Sequence, residues 1–164
     1  MAELMVSRVG FSFSDFYEAN FGALLVQINA YVGNISEAQD IVQEAFSKAW
    51  PRWEKISLYE EPVGWVRRVA WNIAVSRWRR TKVALSFQRN QRPVHVAGPN
   101  PDRVMLEAAL AKLPSNQRRA VILHYITGMT SAEIAAECDV PEGTVKSWLH
   151  RARHALSEQL GDSQ

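Results

Sequence analysis

Two histidines near the end of the chain are the first candidates for chemistry. His150 and His154 stand four residues apart in the run HRARH, a spacing that would place both rings on one helix face, within reach of a shared metal ion. The run lacks the glutamate that accompanies such a pair in helical zinc proteases, and the sequence offers no evident third ligand. We therefore interpret these histidines as solvated or DNA-facing side chains.

Other catalytic patterns are missing from the sequence. It contains no phosphate-binding loop, no nucleophile elbow and no evident pair of catalytic carboxylates. The only cysteine, Cys138, excludes an intramolecular disulfide and a cysteine-based zinc site. The sequence thus predicts a protein that is not an enzyme and that needs no cofactor or metal.

A corner between two predicted helices precedes a polar helix face. Thr130 and Glu133 have capping-box spacing, Ala135 is small enough for a close helix crossing, and residues 138–141 can form the turn, with Asp139 available to cap the helix that follows. A buried stripe in the second helix leaves five side chains toward solvent: Lys146, Ser147, His150, Arg151 and Arg153. This arrangement is typical of a helix-turn-helix, and we favour DNA binding over a solvated amphipathic helix pair.

A basic helix with three tryptophans is the second unusual stretch. Residues 64–82 read GWVRRVAWNIAVSRWRRTK. Cations can hold a nucleic-acid backbone, aromatic faces can stack on unpaired bases, and Asn72 could bind a base edge. The alternative is that the tryptophans belong to the core and the arginines are merely solvated. For any single tryptophan the core is the better interpretation, whereas for the basic cluster as a whole we favour nucleic acid.

An acidic helix is predicted over residues 40–50, DIVQEAFSKAW. It carries Asp40, Gln43, Glu44 and Ser47 outside its apolar stripe. An acidic surface repels DNA, so a protein partner is the functional interpretation. From chemistry alone, an ordinary solvated helix face is the preferred explanation of these four residues.

Charge is unevenly distributed along the 164 residues, although the net charge is only +2. Residues 63–101 hold eight Arg and Lys and no acid, whereas the segments before and after are acidic overall. A basic segment of this kind suggests a polyanionic partner. We expect no signal peptide and no membrane span, which makes a cytoplasmic protein the default.

Helical periodicity dominates, and we expect an all-α protein. Predicted helices cover residues 13–32, 36–50, 63–82, 103–113, 115–126, 131–137 and 142–160. In the second of them, Ser36 and Gln39 have capping-box spacing, and Trp50 falls on the apolar stripe. Residues 84–101 lack a period and contain Pro93, Gly98 and Pro99. We therefore predict two small helical domains, residues 1–83 and 102–164, joined by a flexible linker over 84–101, the second containing the helix-turn-helix.

Three stretches resemble a known family. They are DIVQEAFSKAW, then GWVRRVAWNIAVSRWRR, then LPSNQRRAVILHYITGMTSAEIAAECDVPEGTVKSWLHRARHAL. Together they resemble, in order, regions 2 and 4 of a bacterial RNA polymerase sigma factor of the extracytoplasmic-function (ECF) class, in the sigma-70 family. The resemblance covers about residues 13–160.

The resemblance implies roles for particular residues. It implies that Asp40, Gln43 and Glu44 contact the β′ clamp helices of core RNA polymerase, and that the chain also binds the polymerase β flap. Five residues would contact the melted minus-ten element of promoter DNA: Trp65, Arg68, Asn72, Arg77 and Arg80. Lys146, Ser147, His150 and Arg151 would read the minus-thirty-five element. An anti-sigma factor is a further possible partner.

The predicted function is therefore that of a sigma factor, which directs promoter-specific initiation and helps to melt DNA. One alternative is a conventional helix-turn-helix regulator with a helical sensor domain, which would bind duplex DNA tightly without polymerase. Such a regulator leaves the helix rich in tryptophan and arginine unexplained. Another alternative is an interaction protein whose charged faces serve only other proteins.

Overall fold

The computed structural model describes residues 11–87 and 100–161, with side chains over 11–81 and 100–161. All regular structure within these ranges is helical, as predicted. The helices are α1 (Phe13–Val32), α2 (Ile35–Ala49), a 3-10 turn (Trp50–Arg52), α3 (Trp53–Ile56), α4 (Pro62–Phe87), α5 (Pro101–Ala111), α6 (Ser115–Tyr125), α7 (Ser131–Cys138) and α8 (Glu142–Gly161).

The junction between α1 and α2 is set by two consecutive residues. Gly33 has φ +72°, a left-handed conformation that ends α1. Asn34 is extended, and its side chain accepts a hydrogen bond from the Glu37 amide at 3.0 Å. The predicted capping box of Ser36 and Gln39 is therefore wrong, because Asn34 already satisfies the first amides of α2.

One face of α2 is apolar and packs into the core. Its buried residues are Ala38, Ile41, Val42, Ala45, Phe46 and Ala49. Trp50 was expected on the same stripe, but it is 62% exposed. Trp50 stands where α2 ends: its amide donates to the Phe46 carbonyl, and the 3-10 turn that contains Pro51 begins with it.

Helix α4 begins with Pro62, which suits the first turn of a helix because its missing N–H needs no partner there. Val66, Ala70 and Ala74 are buried. The helix continues to Phe87, five residues beyond the predicted end, because the next helix-breaking residue is Pro93. Residues 84–87, and Pro101 at the start of α5, were assigned to the linker but are helical, and residues 88–99 lie outside the described part of the chain.

The described residues form two compact units. Unit 1 contains residues 11–29 and 34–76, and unit 2 contains residues 30–33, 77–87 and 100–161. The division cuts α4 after Ser76. Phe16, Leu24, Ile28, Phe46 and Trp71 are among the core residues of unit 1. In unit 2 the core includes Leu110, Ile122, Leu123, Ile134 and Leu149.

Candidate nucleic-acid and partner interfaces

The corner of the helix-turn-helix begins with the predicted capping box. The Glu133 amide donates to Thr130 Oγ1 at 3.2 Å, and the Thr130 amide donates to Glu133 Oε2 at 3.0 Å. Both hydrogen bonds satisfy backbone amides that would otherwise lack partners at the start of α7. Ile134 and Ala135 are buried behind this cap, which fixes where the core face of α7 begins.

Asp139 makes the turn between α7 and α8. Its φ of +55° is a left-handed conformation that asparagine and aspartate tolerate better than most residues. Its amide donates to the carbonyls of Ala135 and Ala136, so it ends α7. The expectation that Asp139 caps α8 is therefore wrong: α8 begins only at Glu142, and the Thr144 amide donates to the Pro141 carbonyl at 3.0 Å.

The two faces of α8 differ in exposure as predicted. Val145, Leu149 and Ala152 are buried, and Leu156 is half-buried. All four predicted base-reading residues, Lys146, Ser147, His150 and Arg151, are exposed. At about 100° per residue they occupy an arc of about 140°, which is wide enough to face a DNA groove while the opposite face packs.

His154 does not join His150 in a metal site. Its Nδ1 lies 3.6 Å from Glu158 Oε1, and both side chains are exposed. Within the described residues, no group of three or more His, Cys, Asp and Glu side chains could hold a metal ion.

The three tryptophans of α4 differ in burial, and Trp71 is the one that lies in the core. It is completely buried, and its indole N–H donates to Gln27 Oε1 at 3.3 Å. A side chain in this position cannot stack on a DNA base. Trp65 and Trp78 are half-buried and keep part of their surface outside the core.

The five predicted minus-ten residues do not share one face of α4. Arg68, Asn72 and Arg80 are exposed, whereas Trp65 and Arg77 are half-buried. At about 100° per residue, Trp65, Arg68 and Asn72 fall within an arc of about 60°. Arg80 and Arg77 lie roughly 90° and 150° away from its centre by the same count. The first three residues belong to unit 1, and the two arginines belong to unit 2.

The loop before α4 is tied to the helix by a partly buried ion pair. Arg67 is 7% exposed, and its Nη1 lies 3.4 Å from Glu61 Oε1. A Cβ on Gly64 would come within 3.3 Å of Glu61 Oε2, so glycine gives the carboxylate room. Beside this loop lies a 380 Å³ cavity, lined in part by Asn20, Trp53, Ser57, Tyr59 and Glu60.

One of the three predicted polymerase-binding residues of α2, Gln43, borders an aromatic cavity. Asp40 and Gln43 are exposed, and Glu44 is half-buried with Lys48 Nζ at 3.5 Å from its Oε1. Gln43 also lines a 410 Å³ cavity together with Phe13, Tyr17, Phe46, Ser47 and Trp50. The place of Trp50 on this surface was not predicted; only the proline after it signalled that the helix changes course there.

Unit 2 carries an apolar groove of 320 Å³ between α5, α6 and α8. Its lining residues are Leu106, Leu110, Val121, Ile122, Tyr125, Ile126, Arg153 and Leu156. Leu106, Tyr125 and Ile126 are each about half exposed. Arg153 Nε donates to the Tyr125 hydroxyl at 2.6 Å, which places a cation at the rim of the groove.

Cys138 sits at the end of α7, partly covered by its neighbours. Burial raises the pKa of its thiol, because desolvation disfavours the thiolate. Arg119 opposes this shift and Glu137 reinforces it. The thiol is thus poorly suited to nucleophilic or metal-binding chemistry.

The helices within residues 11–87 and 100–161 offer no candidate for a membrane span. None of them combines the length and the apolar character that crossing a bilayer requires.

Two family descriptions match the chain. Sigma-70 region 2 matches residues 16–83, and Sigma-70 region 4 matches residues 103–156. The two matches contain every predicted site residue and fall in the predicted order.

Curated relatives and solved structures agree with these matches. The ECF RNA polymerase sigma factor SigW of Bacillus subtilis is 32% identical over 153 residues, which cover 80% of this chain and 79% of the relative. The RNA polymerase sigma-E factor of Streptomyces coelicolor is 32% identical over 151 residues, covering 90% and 85%. In fold, the chain is similar to the sigma factor RpoE of Bartonella quintana, solved with the anti-sigma factor NepR (TM-score 0.69, 23% identity, 92% and 99% covered). It is also similar to CnrH, solved with the cytosolic domain of CnrY (TM-score 0.68, 20% identity, 98% and 96% covered).

The matched regions, the extent of the relatives and the helical fold all lead to one assignment: the chain belongs to the sigma-70 family, in the extracytoplasmic-function class of RNA polymerase sigma factors.

Proposed function

We propose that this chain binds core RNA polymerase and directs promoter-specific initiation of transcription, reading a minus-ten and a minus-thirty-five element and helping to melt the duplex. The observation that carries the proposal is the presence of both sigma regions on one chain. Each region presents an exposed polar helix face opposite a packed one. RNA synthesis then belongs to the polymerase, and this chain is not the enzyme.

The polymerase contact would lie on α2. Asp40, Gln43 and Glu44 supply a polar rim for the β′ clamp helices, and the adjoining aromatic cavity supplies apolar area that ends at the exposed Trp50. Interfaces commonly combine a large aromatic anchor with a polar rim of this kind. The combination favours a protein partner over the solvated face that the acidic residues alone would suggest.

The minus-ten contact would centre on the arc formed by Trp65, Arg68 and Asn72. On this helix face the exposed Asn72 amide can form hydrogen bonds with a base, and Arg68 supplies positive charge for the DNA backbone. The half-buried indole of Trp65 offers an edge on which a base can stack. The adjacent cavity beside Tyr59 and Glu60 is a candidate receptor for an unpaired base. Because Arg77 and Arg80 point elsewhere on α4, we propose phosphate contacts for them.

The minus-thirty-five contact would be made by the exposed face of α8 in the major groove. Arg151 can bind a guanine edge through two hydrogen bonds, and Lys146 can serve a phosphate or a guanine. Ser147 and His150 lie between them on the same face. The cap at Thr130 and the turn at Asp139 hold α8 against α7, so the reading face is presented on a rigid element.

Two further partners follow from family membership. The apolar groove of unit 2 fits the β flap of polymerase, because Leu106, Tyr125 and Ile126 offer uncovered apolar surface. An anti-sigma factor is the second, since RpoE, a sigma factor of the same fold, was solved in complex with the anti-sigma factor NepR. We place the chain in the cytoplasm, where bacterial polymerase acts.

Splitting promoter recognition between two regions explains how the chain can be selective. Each region binds DNA weakly alone, and docking on polymerase turns the second contact into an intramolecular event with a high effective concentration. Capture of an unpaired base helps to offset the cost of unpairing it, about a few kcal/mol.

Gel filtration of the purified chain with bacterial core polymerase tests the proposal. We expect co-elution, followed by promoter-dependent run-off transcription from a random promoter library that core polymerase alone does not support. A chain that does not co-elute, and that binds duplex DNA tightly by itself, would be a conventional regulator instead. Prior saturation of the core with another sigma factor is the control, because it should block co-elution.

A further inference from the structure

Arg67 is a buried cation paired with an exposed carboxylate. Its side chain, on α4, is 8% exposed, whereas that of Glu61, in the loop before the helix, is 65% exposed. Both Nη1 and Nη2 of Arg67 donate to Glu61 Oε1 at 3.4 Å. The next residue, Arg68, is exposed. Of these two neighbouring arginines, only Arg68 is therefore placed to contact DNA, and Arg67 acts on the loop.

The loop between α3 and α4 is held at both ends. On the α3 side, the Tyr59 amide donates to the Ile56 carbonyl at 3.0 Å. On the α4 side, the Glu61 carbonyl accepts a hydrogen bond from the Gly64 amide at 3.1 Å, and the Glu61 carboxylate pairs with Arg67. The first end is fixed by the backbone alone, whereas the second also depends on a side chain buried in unit 1.

Gly64 leaves free the space that the ion pair occupies. A Cβ at this position would lie 3.3 Å from Glu61 Oε2 and 3.5 Å from Arg67 Nη2. The φ of Gly64 is not positive, so its backbone conformation does not require glycine. Glycine is less favourable than alanine inside a helix, and the room that the pair needs gives a reason for its presence. We call Glu61, Gly64 and Arg67 the loop tie.

The loop tie adjoins one wall of the 380 Å³ cavity proposed above as the receptor for an unpaired base. The loop and the start of α4 contribute Ser57, Tyr59, Glu60, Pro62 and Val63 to its lining. Glu60 and Pro62 are the immediate neighbours of Glu61 in the chain, so a displacement of Glu61 moves this wall. The cavity and the loop tie both belong to unit 1.

We propose that the loop tie is a positioning device: Arg67 holds Glu61 so that the wall of the cavity is in place before an unpaired base of the minus-ten element arrives. The inference rests on the proposed function for its purpose, whereas the fixing of the loop by Arg67 stands without it. A preformed receptor avoids the cost of ordering the loop on binding. Arg67 is thus a positioning residue, which acts through Glu61 and does not itself touch DNA.

Hydrogen exchange of the free chain tests the loop tie without polymerase. Gly64→Ala crowds the ion pair but removes neither charge, and the exposed Glu61 carboxylate can move away. We expect the Tyr59 amide to exchange several-fold faster than in the wild type. The urea midpoint should stay at or above the wild-type value, because alanine favours the helix. A loop that exchanges at the wild-type rate in Gly64→Ala would overturn the loop tie.

Gly22→Ala is the matched control. It makes the same substitution within α1 of the same unit, where the added Cβ meets nothing within 4 Å. We expect it to leave the exchange of the loop unchanged, so that an effect of Gly64→Ala reflects the crowded pair and not the loss of a helical glycine.

Core polymerase and promoter DNA test the purpose of the loop tie. Gly64→Ala should bind core as tightly as the wild type but form about tenfold fewer open complexes, because its loop must become ordered as the base enters. Permanganate reactivity of unpaired thymines measures opening, and Gly22→Ala should open fully. Full opening by Gly64→Ala would exclude the positioning role. Faster loop exchange in Gly64→Ala, together with a wild-type chain that opens no promoter, would support the tie and count against the proposed function.

A second set of variants separates positioning from simple neutralisation of the Glu61 charge near DNA. Arg67→Met keeps an apolar stem and removes the cation, and adding Glu61→Gln removes the negative charge without restoring the pair. We expect the single and the double variant to open promoters equally poorly, and Arg67→Lys, which retains a cation for Glu61, to recover part of the opening. A double variant that opens promoters like the wild type would reduce Arg67 to charge neutralisation and contradict the proposal.

Discussion

Trp71 donates its indole N–H to Gln27 Oε1 at 3.3 Å, and both side chains are buried in unit 1. The next residue on α4, Asn72, is exposed. One step along the helix, about 100° of rotation, thus separates a residue of the core from a candidate reader of DNA. Substitution of Trp71 should therefore lower stability, whereas substitution of Asn72 should impair the opening of promoter DNA.

Trp71→Phe should destabilise the chain without a specific effect on DNA. The change leaves Gln27 Oε1 buried without its indole donor and opens space beside it, and we expect a loss of about 2 kcal/mol in the free energy of unfolding. Urea titration followed by circular dichroism would measure it. Trp50→Phe, at an exposed position, is the control and should change stability by less than about 0.5 kcal/mol. Equal stability of both variants would show that Trp71 is not a core residue.

Asn72→Ala should retain stability and polymerase binding but lose the ability to open promoter DNA. An amide that holds an unpaired base offsets part of the cost of unpairing, so we expect open complexes to fall about tenfold or more. Permanganate reactivity of unpaired thymines measures them. Asn116→Ala, an exposed amide outside the predicted DNA faces, should behave like the wild type. Full opening by Asn72→Ala would remove Asn72 from the minus-ten site.

Trp50→Ala should weaken binding to core polymerase by about tenfold or more, because exposed aromatic anchors contribute heavily to interfaces. Its edge contact with Phe13, at 4.9 Å between ring centroids, predicts a stability loss of only about 1 kcal/mol. Fluorescence anisotropy of labelled chain titrated with core polymerase provides the affinity. Glu54→Ala, exposed on the following helix, is the control. Undiminished affinity in Trp50→Ala would exclude the aromatic cavity from the polymerase interface.

Arg151→Ala and Lys146→Ala should alter DNA binding in different ways. If Arg151 reads a base edge, its loss costs about 1–3 kcal/mol on the preferred sequence and relaxes the choice of base at one position. If Lys146 holds a phosphate, its loss weakens binding to all sequences and lowers the salt slope by about one. Holoenzyme selection from a random library, repeated at several salt concentrations, distinguishes the two. A preference unchanged by Arg151→Ala would reject the base-reading role.

Cys138 should react slowly with iodoacetamide in the native chain. Since burial raises the pKa of its thiol, the folded protein holds less thiolate than the unfolded protein at neutral pH. The ratio of unfolded to native rates should be largest below the ordinary thiol pKa and should shrink as pH rises through the raised value. The same linkage stabilises the fold at low pH and is lost in that alkaline window. Cys138→Ser confirms the labelled site, and a native rate equal to that in urea would contradict the prediction.

The helices and the helix-turn-helix were predictable because their signals are local. The capping box at Thr130 and the alternation of buried Val145 and Leu149 with exposed Lys146 and His150 depend on residues within one or two turns. For the same reason the prediction missed Asn34, whose cap uses a residue two places earlier than the pair that matches the usual pattern. It placed Asp139 in the turn but assigned it to cap α8 rather than to end α7, because aspartate is common both at helix starts and in left-handed turns.

Burial of the long side chains could not be predicted in the same way. Trp50, Trp65 and Trp71 all fall in predicted helices, yet one is exposed, one half-buried and one fully buried. Arg118 lies in the polar run SNQRR, which gives no sign of a buried cation. Its environment is made by Tyr31, 87 residues earlier in the chain, so only tertiary structure could reveal it.

The exposed apolar surfaces beside Trp50 and Leu106 affect the solubility of the chain. A net charge of only +2 provides little mutual repulsion in solution. Uncovered aromatic and aliphatic surface on such a weakly charged molecule favours self-association. The solubility of the chain should therefore depend on what covers these surfaces, and co-production with a binding partner should raise the yield of dispersed protein more than any change of buffer.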